Sequence, residues 1–332
     1  MSHTSSFEVP RSSEDLSAAV SRAMEVFEER LAEAVSAAHP LLDQSARHLV
    51  AAGGKRFRPL MVLVSSHLGD PDHPDVLEAA LVVELTHLAT LYHDDVMDEA
   101  EVRRGGPSAN ERYGNSVAIL TGDYLFARAS DVAARLGPEC VRIQAETFSR
   151  LVQGQIAETL GPADTDDPID FYLRVLADKT GSLIATSALF GAKLSGASPQ
   201  QQQILARFGE RIGVAFQLAD DVIDIASDGD ESGKTPGTDL REGVPTLPGL
   251  FAQASTDPAD ARLVDLVSRP LSDDAEVTEA LTLLRGHPSM HQAKQTVQDW
   301  AARARAELDD LPDGPVKDAL VEITHSVAER TA

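Results

Sequence analysis

The stretch from Asp75 to about Asp98 most constrains what this chain can fold into. Leu77, Leu81, Val82, Leu85, Leu88 and Leu91 recur at helical spacing, and the run ends in Asp94-Asp95-Val96-Met97-Asp98. So apolar a helix must be covered by other elements. Yet residues i and i+4 share a helix face, so Asp94 stands above Asp98 with Asp95 beside them. A second apolar run repeats the arrangement, ending in Asp220-Asp221-Val222-Ile223-Asp224, and neither pentapeptide holds a cation. Three carboxylates on one turn at the end of a buried helix call for a counter-charge. Hard divalent cations prefer carboxylate oxygen, and Mg2+ typically takes one or two carboxylates plus substrate phosphates. The expectation is two metal-binding walls facing each other across a pocket for a phosphorylated substrate.

The rest of the chain is consistent with helices. It has 332 residues, 42% of them hydrophobic, enough for a large core. Aromatic residues make up only 5%, and no stretch alternates as a half-buried strand would, so the expected class is all-α. With no sharp break in composition, residues 12–332 read as one large helical domain after a disordered lead-in over 1–11. The single Cys140 excludes an intramolecular disulfide framework and fits a reducing compartment. Met1 to Val20 is polar and acidic without a signal pattern, and no uncharged run approaches the ~20 residues of a membrane span. A cytoplasmic protein is expected.

A net charge of −24 argues against general nucleic-acid binding, which needs Lys and Arg to neutralise phosphates. It makes the local basic groups informative: Lys55-Arg56-Phe57-Arg58, Arg103-Arg104, Lys179 and Lys234. Arg offers a planar fork to phosphate oxygens and Lys a point charge. Gly53-Gly54 ahead of the first cluster gives a flexible backbone and three cations at a helix start, where free N–H groups favour anions. The spacing is not that of a nucleotide P-loop, so ATP binding is not expected. His87 lies two turns before Asp94, and Gln217 one turn before Asp221. Singly, these residues also fit a core histidine, a surface glutamine, a basic turn and a helix-end charge pair. Helices are expected over about 14–38, 41–52, 60–68, 75–98, 116–136, 139–159 and 169–194, and from Pro199 into the second acidic turn. Shorter ones follow over 259–268, 275–285, 289–310 and 316–330. Between them, Ser227 to Pro248 reads as a long polar lid or binding loop.

Four ordered motifs carry a resemblance. They are Gly-Gly-Lys-Arg-Phe-Arg-Pro at 53–59, His-Asp-Asp-Val-Met-Asp at 93–98 followed later by Arg-Arg-Gly, Gln-Leu-Ala-Asp-Asp-Val-Ile-Asp at 217–224, and Gly-Lys-Thr-Pro-Gly-Thr-Asp-Leu at 233–240. From about residue 40 onward the sequence resembles the trans-isoprenyl diphosphate synthases, the polyprenyl synthetase family. The resemblance implies an all-α isoprenoid-synthase helical bundle around a deep central cavity, usually a homodimer. It also implies Mg2+-dependent, head-to-tail condensation of isopentenyl diphosphate onto an allylic diphosphate. By the same resemblance, Asp94, Asp98 and Asp220 would hold Mg2+, with Asp95, Asp221 and Asp224 supporting them. Arg103, Lys179, Thr180, Gln217 and Lys234 would contact the allylic diphosphate. Lys55, Arg58, His87 and Arg104 would hold that of isopentenyl diphosphate. Where many relatives carry a lysine ten residues after Lys234, this chain has Val244, and Arg241 is a candidate substitute.

In the family, the residues four and five before the first aspartate set product length. Here they are Thr90 and Ala89, roughly 6–7.5 Å deeper along the helix at ~1.5 Å per residue. Both are small, which points to a geranylgeranyl or longer product. Ala89 could instead simply pack helix on helix, with a block supplied by Phe126. A lipid product of that length implies transient membrane contact for release. Two other readings of the fold, a terpene cyclase and a noncatalytic subunit of a heteromeric synthase, fit less well. The Gly-Gly-Lys-Arg motif provides for a second diphosphate, and both acidic turns are intact.

Overall fold

A computed structural model describes residues 7–226 and 236–331. Among these, all regular structure is helical apart from one two-stranded hairpin. The helices are α1 (Glu14–Ala34), α2 (Pro40–Ala51), α3 (Phe57–Ser66), α4 (Pro74–Met97), α5 (Ala109–Tyr113), α6 (Asn115–Leu136), α7 (Pro138–Leu160) and α8 (Pro168–Leu176). Then come α9 (Ser182–Leu194), α10 (Pro199–Ala226), α11 (Thr238–Glu242), α12 (Leu247–Gln253), α13 (Ala261–Val267), α14 (Asp274–Gly286), α15 (Pro288–Glu307) and α16 (Pro315–Glu329).

Local chemistry sets these boundaries. Many of the helices begin on proline, whose fixed φ suits the first helical position and whose missing N–H would have no partner there. Ser13 caps α1 by accepting from the Leu16 amide, and Asp167 caps α8 by accepting from the amides of Ile169 and Asp170. No helix among the described residues is long and apolar enough to cross a membrane.

The chain forms two compact units, each built from separate stretches. The first takes residues up to 150, 182–210 and 307–323; the second takes 151–181, 211–306 and 324 onward. In the first unit α4 is buried on nearly every side, as its apolar run requires. It packs on α6 above all, then on α3, α9 and α1. In the second unit α12 packs on α13, α8 and α14.

Three expectations are corrected. Residues 7–11 are not a loose lead-in: the Phe7 amide donates to the Lys55 carbonyl at 2.8 Å, and its ring centroid lies 4.8 Å from that of Phe57. The Arg11 and Ser12 amides bond the Glu322 carboxylate. The helix expected over 169–194 is interrupted by a π-turn at Ala177–Gly181. The polar stretch 227–248 is not all loop, since α11 and the start of α12 lie within it; its residues 227–235 lie outside the described residues.

Candidate active site

In the first unit the acidic turn closes α4. Asp98 is the C-cap residue and its N–H donates to the Asp94 carbonyl at 2.8 Å. Asp98 is exposed and Asp94 half-buried, one turn apart at a helix C-terminus, where the dipole already disfavours negative charge. Asp95 turns the other way and is fully buried. Arg103 Nε donates to its Oδ1 at 2.6 Å, while Oδ2 is buried without a hydrogen-bond partner. Burial raises the Asp95 pKa above the usual carboxylate value, and the Arg103 guanidinium works against that rise.

Arg103 reaches Asp95 because a short hairpin follows the helix, β1 (Val102–Arg103) pairing with β2 (Gly106–Pro107). Its turn residues, Arg104 (φ 54°) and Gly105 (φ 76°), are both left-handed, which matches the twist of a two-residue hairpin. This backbone sends Arg104 away from Arg103. Arg104 Nη1 donates to the carbonyls of Leu49, at 2.8 Å, and Gly53. Burial pushes the Arg104 pKa down to about 10.

The basic cluster at 55–58 divides by direction. Arg56, at φ 49° before α3, is buried and pairs with Glu84 of α4 at 2.8 Å and Glu28 of α1 at 2.6 Å. Lys55 and Arg58 stay half-buried. His87 is half-buried, and its pKa is held well below 6.5, first by burial and then by Arg58, Arg104, Arg56 and Arg103, so it is neutral. His87 thus feels the charges of Arg58, Arg104, Arg56 and Arg103.

Beneath this turn Ala89 is fully buried at the contact with α6. A Cβ on Gly122 of α6 would collide with His93 and approach the Ala89 carbonyl. Thr90 is half-buried and donates to the His87 carbonyl at 2.8 Å. Phe126 lies between His93 and Phe148, with ring centroids 5.7 and 4.2 Å away.

In the second unit the π-turn presents Lys179 and Thr180. Gly154 of α7 makes room for it, since a Cβ there would stand 2.8 Å from the Lys179 amide nitrogen. Such single π-turns inside helices are frequent at functional sites. Lys179 Nζ pairs with Glu158 at 2.5 Å. Thr180 donates to Gln217 Oε1 at 3.2 Å, Gln217 Nε2 donates to Asp221 Oδ1 at 3.0 Å, and the Tyr172 hydroxyl donates to Asp221 Oδ2. Burial, reinforced by Asp239, pushes the Asp221 pKa up to about 8. Asp224 is also buried. Asp220 is half-buried and pairs with Arg330 Nη2 at 2.5 Å. Lys234 lies outside the described residues. Near Val244, Arg241 is committed to Asp274 at 2.7 Å.

Both acidic turns thus share one logic. The second aspartate of each pair, Asp95 or Asp221, is buried and held by protein donors. The first, Asp94 or Asp220, is left nearer solvent. No three His, Cys, Asp or Glu side chains among the described residues converge tightly enough to hold a metal alone. Asp94 and Asp98 in the first unit, and separately Asp220 in the second, offer hard oxygen of the kind that Mg2+ takes alongside waters and substrate phosphates. Sequence reasoning missed Glu158, Tyr172 and Arg330, each of which meets its partner through a contact that no local motif announces.

An all-α fold with two acidic turns and cations gathered near them defines a class, the synthases that handle prenyl diphosphates. The polyprenyl synthetase family model matches residues 39–284, and the chain belongs to that family. It is a prenyltransferase, a polyprenyl diphosphate synthase. The chain is 54% identical over 294 residues to the nonaprenyl diphosphate synthase of Mycobacterium tuberculosis, covering 88% of each chain. It is 46% identical to the dimethylallyltranstransferase of the same organism, covering 89% of this chain and 90% of the relative. Among solved structures it is similar to the geranylgeranyl pyrophosphate synthase of Corynebacterium glutamicum, complexed with calcium and isoprenyl diphosphate. That match has a TM-score of 0.85 at 46% identity and covers 96% of this chain and 98% of the other.

Proposed function

We propose that the protein condenses isopentenyl diphosphate head-to-tail onto an allylic diphosphate, with Mg2+, to give a trans-polyprenyl diphosphate of geranylgeranyl length or longer. The observation that carries this reading is the common build of the two acidic turns, each with one aspartate held inward and another turned toward solvent. Asp94, Asp98 and Asp220 are the ligands assigned to Mg2+; calcium in the corynebacterial relative supports a divalent ion. When bound, Mg2+ supplies positive charge to the diphosphate that departs as the allylic C–O bond breaks.

The chain's own residues do the rest. Arg103 and Lys179 add fixed cations for the leaving group, where developing charge is best met by preorganised donors. Thr180 and Gln217, already joined by a hydrogen bond, present a shaped polar surface to the same group. Lys55, Arg58 and Arg104 hold the second diphosphate, and neutral His87 adds a hydrogen bond without competing for protons. Lys234 is assigned to the allylic diphosphate from its motif alone. The double bond of isopentenyl diphosphate attacks the allylic carbon and a proton is lost, with the released diphosphate as acceptor. Small Ala89 and Thr90 are assigned to the limit on product length, where a bulky side chain would stop the product extending. The working enzyme is a cytoplasmic homodimer that touches the membrane transiently to release its lipid.

The test is incubation of purified protein with labelled isopentenyl diphosphate, Mg2+ and allylic primers of several lengths, followed by product chromatography. Elongated products of twenty carbons or more are expected. Absence of any elongated product overturns the reading, as would a cyclic hydrocarbon.

A further inference from the structure

The second acidic turn already has a cation on it, from a part of the chain no motif touches. Arg330 follows α16, and its Nη2 donates to Asp220 Oδ1 at 2.5 Å. Its guanidinium carbon lies 4.9 Å from the centroid of the Phe216 ring, one turn earlier on α10. The fork is only half used, because Nη1 is buried without a hydrogen-bond partner.

Each feature bears on what this contact does. Asp220, Asp221 and Asp224 share one turn near the end of α10, where their mutual repulsion and the helix dipole both ask for positive charge. A guanidinium nitrogen on Oδ1 occupies a lone pair that a divalent ion would need. A bidentate Arg–carboxylate pair would be hard to displace. A single-nitrogen contact, with side chains 23% and 28% exposed, is much easier to give up. The Phe216 face keeps the guanidinium close by cation–π attraction without fixing it to the carboxylate.

We propose that Arg330 is the resident counter-ion of Asp220: it neutralises the carboxylate while no divalent cation is bound and is displaced when one binds. The proposal rests on the reading of Asp220 as a metal ligand.

Mn2+ alone, without substrate, is titrated calorimetrically into protein carrying Asp94→Ala, so that the second turn is read by itself. In that background Arg330→Gln is expected to bind Mn2+ about two- to fivefold more tightly, with Arg330→Lys in between. Unchanged or weaker binding in Arg330→Gln, with circular dichroism intact, overturns the proposal. Asp220→Asn separates the two ideas: if it binds Mn2+ as well as its parent, the ligand assignment of Asp220 is what fails. A measurement on the unaltered chain needs no variant to fold. Hydrogen exchange in a peptide spanning 324–331 should quicken when Mn2+ is added, and exchange unchanged by the metal also overturns the displacement.

Discussion

At the scale of single residues, direction matters more than identity. Asp94 and Asp95 are neighbours of one chemical type, yet one is half-buried near solvent and the other is buried on Arg103. Asp94→Ala should therefore leave the fold intact and lower kcat by about 100-fold or more, the order of loss when one group that answers transition-state charge is removed. Near-normal turnover with an unchanged melting curve would refute the metal assignment. His87 offers a pH test. Its folded pKa lies below 6.5, so above that pH neither state carries the proton and stability is unaffected. As pH falls below 6.5 the unfolded chain takes up a proton that the folded protein refuses, and stability drops by up to ~1.4 kcal/mol per unit. Urea denaturation at pH 7.5, 6 and 5 should show a steeper decline for the wild type than for His87→Gln; equal slopes would mean His87 is not held neutral. The sequence displayed these residue types and spacings but not their directions. Nothing in Lys-Arg-Phe-Arg tells that Arg56 is the one turned inward, because its partners Glu28 and Glu84 stand 28 residues to either side.

At the scale of elements, legibility followed how local the cause was. Helix starts at Pro74, Pro168 and Pro199 could be read within a residue or so, because the proline itself sets them. The π-turn at Ala177–Gly181 could not, since its space comes from Gly154 on another helix. The hairpin after α4 is not legible in the sequence, because Arg104 in a left-handed conformation breaks the usual preference for Asn or Gly there. The packing of α4 on α6 sharpens the reading of product length. Ala89 is buried where α6 approaches closely at Gly122, so a larger side chain must push into packed space or displace the neighbouring helix. Ala89→Phe should shorten the longest product by at least one five-carbon unit and cost about 1–3 kcal/mol in stability through overpacking. Chromatography of products from the two enzymes decides between roles. Lost stability with unchanged product length would make Ala89 a packing residue only and move the length limit to another wall, with Phe126, whose ring packs between His93 and Phe148, as the aromatic candidate.

At the scale of the whole molecule, the surface carries apolar residues that a lone acidic protein has little reason to expose. On α7, Val152, Ile156 and Leu160 are 42%, 53% and 78% exposed at i, i+4 and i+8, so they form one stripe along the helix. In the first unit Ile119 and Leu120 of α6 are likewise exposed. In the proposed homodimer the α7 stripe is the candidate surface for the contact between copies. That contact must overcome charge repulsion between like copies, which favours a broad apolar contact over a small polar one. A twofold homodimer suits it, because each copy presents the same stripe to the other. Sedimentation equilibrium at micromolar concentration should give twice the chain mass, and raising the salt concentration should tighten rather than loosen the association as repulsion is screened. Ile156→Asp with Leu160→Asp should yield a folded monomer, since these exposed positions contribute little within the chain but would place unpaired charge in the contact. A wild type that stays monomeric at these concentrations, or a doubly substituted protein that dimerises as tightly as the wild type, would show that this stripe is not where two copies meet.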